Sequence, residues 1–126
     1  IAFVGWQTWR PQGSGTPLRA VPMTSLPGVT RSPSFSPDAN QVAFSWTGPA
    51  GNNQDIYVQQ IGTTTQLRLT TDPANDYSPL WSPDGRWIAF LRGELDGQQS
   101  ELRLVPPLTG PERKLIDIHP VGFCDR

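Results

Sequence analysis

Two stretches of this 126-residue chain are copies of one another, and that repeat limits the fold more than any other feature. Ser32, Pro33, Ser36, Pro37, Asp38, Ala43 and Phe44 recur 46 positions later as Ser78, Pro79, Ser82, Pro83, Asp84, Ala89 and Phe90. Phe35 is answered by Trp81, and Val42 by Ile88. The register continues without slip: Asp55 and Ile56 match Glu101 and Leu102, Val58 matches Leu104, and Leu69 matches Leu115. Self-similarity with a period of about 20–50 residues marks solenoids, propellers and arrays, in which each copy buries its apolar face against the next.

Each copy opens as strand, tight turn, strand. Pro83 presets φ for the first corner of a type I turn, Asp84 can bond its own backbone, and Gly85 supplies the positive φ that returns the chain. Trp81 precedes the turn and Trp87-Ile88-Ala89-Phe90-Leu91 follows it. Five apolar residues in succession suit a strand covered on both faces. In the first copy the turn is Ser36, Pro37 and Asp38, but Ala39 stands where the second copy has glycine. A left-handed alanine costs about 1 kcal/mol, so Asn40 is expected to take the left-handed position, or the turn to relax. Strands are expected near residues 32–36, 41–46, 55–60 and 66–70, and again near 78–82, 87–92, 100–105 and 112–116. Four short antiparallel strands in about 40–50 residues make a propeller blade.

The Ser-Pro-Asp-Gly turn lies between an aromatic residue and an Ile-Ala-Phe strand, and Asp55-Ile56-Tyr57-Val58 and Leu67-Arg68-Leu69-Thr70 lie in the first copy. This set resembles the TolB-type, WD-like β-propeller repeat over roughly residues 18–117. The resemblance implies an all-β fold of propeller blades, two and a fraction of them, from an incomplete ring. A closed ring needs about 4–8 blades, so the chain reads as part of a larger protein. Residues 32–77 and 78–117 are the expected blades, and residues 118–126 the start of a truncated next one. Residues 18–31 read as an orphan outer strand with an inter-blade loop, and 10–17 as a linker. Residues 1–9 are read as the end of a transmembrane helix, with Trp6 and Trp9 at headgroup level. The alternative for that stretch is a blade strand, since Ile1-Ala2-Phe3 echoes Ile88-Ala89-Phe90.

Little in the sequence points to chemistry. A net charge of −1 with scattered charges provides no basic stripe for nucleic acid. Cys124 is the single cysteine, too few for a disulfide framework or a metal set. His119, the only histidine, stands beside Pro120 and reads as a solvated loop residue. No Gly-x-Ser-x-Gly elbow is present. Asp38 and Asp84 sit in their own copies' turns, so Ser36, Pro37, Asp38, Ser82, Pro83, Asp84 and Gly85 are assigned to structure. The oxygens of Asp72, Asn75 and Asp76 raise the question of a calcium ion, but a plain polar inter-blade loop is the preferred reading. Catalytic residues, metals and cofactors are therefore all expected to be none.

Blade geometry puts the loops near 47–54, 71–77 and 93–99 on one face, opposite the tight turns. Long polar loops on a rigid scaffold are where binding concentrates. Asn52, Asn53, Asp72, Asn75, Asp76, Tyr77, Glu94 and Asp96 are thus the candidate face for a protein or small ligand. The resemblance implies a non-catalytic binding or sensing module of a membrane-anchored bacterial protein, on the periplasmic rather than the cytoplasmic side. Its remaining blades would come from the same chain, and its membrane contact from residues ahead of the propeller. The alternatives are the gating propeller of a prolyl-oligopeptidase-like or tricorn-like serine peptidase, or a TolB-like periplasmic envelope protein.

Overall fold

The computed structural model describes residues 25–96 and 98–119. They form eight strands and, among the described residues, no helix: β1 (Thr30–Phe35), β2 (Gln41–Trp46), β3 (Asp55–Gln60), β4 (Gln66–Arg68), β5 (Asn75–Trp81), β6 (Ile88–Gly93), β7 (Ser100–Val105) and β8 (Arg113–Ile118). These make two four-stranded sheets in the orders β1-β2-β3-β4 and β5-β6-β7-β8. Every pairing is antiparallel, so each sheet is a simple up-and-down meander, the form of a blade. The expected segments 1–9 and 10–17 lie outside the described residues, as do 18–24 of the expected orphan strand and loop at 18–31 and 120–126 of the expected next blade at 118–126.

The two Ser-Pro-Asp turns are chemically superposable. Ser36 Oγ donates to Asp38 Oδ1 at 2.5 Å, and Ser82 Oγ to Asp84 Oδ1 at 2.6 Å. The same hydroxyls accept from Gln41 N at 2.9 Å and Trp87 N at 3.0 Å. The turn-closing bonds, Ala39 N to Ser36 O and Gly85 N to Ser82 O, measure 2.8 and 2.9 Å. Ala39 itself takes the left-handed conformation, with φ +58 beside +70 for Gly85. This corrects the expectation from sequence: Asn40 does not replace it and the turn does not relax. The closing bond and the Ser36–Asp38–Asn40 network over-determine the geometry and impose it on alanine.

Sequence also placed the starts of β1 and β5 too late. Each contains an irregularity, between Arg31 and Ser34 and between Tyr77 and Leu80. Ser32 and Ser78 there both have φ +53, each just ahead of a proline. A proline offers no N–H to the ladder, so the chain bulges and pairing resumes on the far side. At the other end of the first blade, β4 is only three residues long. Thr70 beyond it uses its hydroxyl, not its backbone, to accept from Ile56 N at 2.9 Å.

The blades join through an apolar core. Ala43, Ile56 and Val58 of the first sheet meet Trp81, Ile88, Phe90 and Val105 of the second, with Leu69 at the edge. Burying a side chain such as Phe90 stabilises the fold by about 1.5–3 kcal/mol. The inner strands are stitched as well: Trp81 N donates to Ser34 Oγ across the junction at 3.2 Å. A second cluster, Val42, Phe44, Trp46 and Tyr57 with Leu26 against it, lies on the other face of the first sheet. In β6 only one face is fully covered: Ile88 and Phe90 are buried while Ala89 and Leu91 are half-buried. The opposing face of the second sheet leaves Leu80 64% and Ile116 57% exposed.

Candidate functional site

The link from β4 to β5 holds the long-loop side together. Asn53 Nδ2 donates to the carbonyls of Asp72 (2.9 Å) and Ala74 (3.1 Å). Gln54 N donates to Asn75 Oδ1 at 3.0 Å, and Asp76 N returns a bond to Gln54 O at 2.8 Å. The 47–54 loop of the first blade therefore grips the start of the second. Asn53, Asn75 and Asp72, expected to meet a partner, are at least partly committed to this junction.

Asp76 is fully buried, which corrects its placement on an accessible binding face. Its carboxylate accepts from Arg92 Nε at 2.7 Å and Arg92 Nη2 at 2.8 Å. Arg92 also donates to Glu112 at 2.7 and 3.0 Å, and lies 3.3 Å from Asp72. Burial alone would lower the Arg92 guanidinium; the bonds to Asp76 and Glu112 outweigh it and hold the group above its ordinary value. Glu112 in turn accepts from Arg103, which donates to Glu101, and Glu101 accepts from Lys114. A chain of ion pairs thus crosses the second sheet from β5 to β8. At the junction, Asp55 pairs with Arg68 at 2.6 Å, and burial pushes the Asp55 carboxyl up against that partner's pull.

The repeat explains what this network replaces. Arg92, Arg103 and Asp72 occupy the register positions of Trp46, Tyr57 and Leu26. In the first blade those three belong to one apolar cluster; the Trp46 and Tyr57 rings meet edge-on at 5.0 Å, and Trp46 Nε1 donates to Pro27 O. In the second blade the same place carries charge, and beside it opens a cleft of about 550 Å³. Asp72, Arg92, Glu94, Ser100, Arg103 and His119 are among its lining residues. Gly93 forms part of the wall with φ +146, where a β-carbon would collide with the carbonyl of Gln99. The Tyr77 hydroxyl is engaged by Ser100 Oγ at 2.6 Å and donates to Glu94 O at 3.1 Å.

The structure thus brings Asp72 and Glu94 together at the cleft and leaves Asn52, Glu94 and Asp96 exposed. The turn residues Ser36, Pro37, Asp38, Asp84 and Gly85 lie apart from it, around a smaller hollow of about 230 Å³ with Trp81. Sequence reasoning missed Arg92, Arg103 and Glu112. The available signal was the change from Trp46 to Arg92 inside an otherwise apolar, repeating strand. Among the described residues, no group of three or more His, Cys, Asp or Glu could hold a metal ion.

A family model, the TolB beta propeller domain, matches residues 12–99. The chain belongs to the TolB β-propeller family. TolB of the Tol-Pal system from Anaeromyxobacter dehalogenans is 47% identical over 47 residues, 37% of this chain and 10% of that protein. An uncharacterised protein of Agrobacterium fabrum is 38% identical over 56 residues, 44% of this chain and 18% of its own length. The chain therefore spans less than a fifth of either relative. A TolB-type structure from Agrobacterium tumefaciens superposes with TM-score 0.61 at 28% identity, over 76% of this chain and 33% of that one. At 20% identity, the β-propeller domain of the Trilobed protease from Pyrococcus furiosus superposes with TM-score 0.51 over 75% of this chain and 30% of that one, a likeness of fold alone.

Proposed function

We propose that this TolB-type segment is a non-catalytic binding module of a longer bacterial protein and engages a partner polypeptide through its long-loop face. The observation that carries the reading is the contrast between equivalent places in the two blades. One is packed with Leu26, Trp46 and Tyr57; the other has charged side chains beside an open cleft, with the exposed Glu94 on its wall and Asp96 in the adjoining loop. A rigid sheet presenting exposed polar loops is a scaffold for recognition. Membership of the TolB family supports a place on the periplasmic side of the envelope, and residues ahead of the blades are proposed to tether the protein to the membrane. The rest of the ring is assigned to further blades of the same longer protein. The peptidase-gating alternative draws on fold likeness alone, and fold does not fix function.

A photo-crosslinking amino acid placed at Asn52, Glu94 or Asp96 of the full-length protein, in its own cells, tests this reading. Polypeptide adducts are expected from these positions and not from Asp38 or Arg86 beside the turns. Adducts confined to the turn positions would overturn it.

A further inference from the structure

We draw no further inference here: the strongest candidate, the cleft between Asp72, Arg92, Glu94 and His119 on the long-loop side of the second blade, belongs to the site already described.

Discussion

Ala39 holds a left-handed backbone that the second copy gives to glycine, and the two residues make a matched pair for experiment. Ala39→Gly is expected to stabilise the protein by up to about 1 kcal/mol, the relief of strain offset in part by a more flexible unfolded chain. Gly85→Val is expected to destabilise it by about 1–2 kcal/mol or more, because a β-branched residue is strained at φ +70. Denaturant midpoints of both variants in the full-length protein check the pair, and a wild-type midpoint for Gly85→Val would contradict the turn geometry. The turn aspartates add a pH signature. Hydroxyl bonds from Ser36 and Ser82, then backbone bonds from Asn40 and Arg86, hold Asp38 and Asp84 below the usual carboxylate value. A carboxylate lowered in the folded state contributes stability above its unfolded pKa and loses it as pH falls through the folded value. Ser82→Ala should therefore move the Asp84 titration upward, as read from its side-chain carboxyl by NMR. An unmoved titration would show that the hydroxyl does not set it.

At the scale of the strand, the Asp76–Arg92 pair is where the second blade departs from the first. Removing one member of a buried ion pair strands the other, at a cost of about 3–5 kcal/mol. Arg92→Trp alone is expected to fall in that range, whereas Asp76→Thr combined with Arg92→Trp, the residues at the equivalent places in the first blade, should recover much of the loss. Urea unfolding of the single and double variants measures the coupling, and additive losses would show that the two sites act independently. Strand order and type were legible in the sequence because the repeat supplies two independent readings of each strand. The starts of β1 and β5 were not, because a left-handed serine before proline looks like a break when it is a bulge within one strand. Nor was the burial of Asp76 legible: an acidic residue in a polar link reads as solvated until its arginine, 16 positions away, is placed against it.

The whole molecule has two faces, one closed by tight turns and the other open at long loops. The repeat alone was enough to sort the loops between them, but not to show which side chains the blade junction had already taken. Asn53 and Asn75 are spent there and the Asp76 carboxylate on Arg92, while Asn52, Glu94 and Asp96 stay exposed. The most direct measurement is the affinity of the full-length protein for the polypeptide recovered by crosslinking, with Asn52, Glu94 and Asp96 changed together to alanine. Exposed positions of this kind shift stability by no more than about 0.5 kcal/mol each, so thermal unfolding should be nearly unchanged. At least a tenfold loss of affinity, about 1.4 kcal/mol, is expected, with no comparable loss for Asp38→Asn combined with Asp84→Asn. Full affinity in the triple variant, with loss in the turn pair, would place the binding face on the opposite side of the blades.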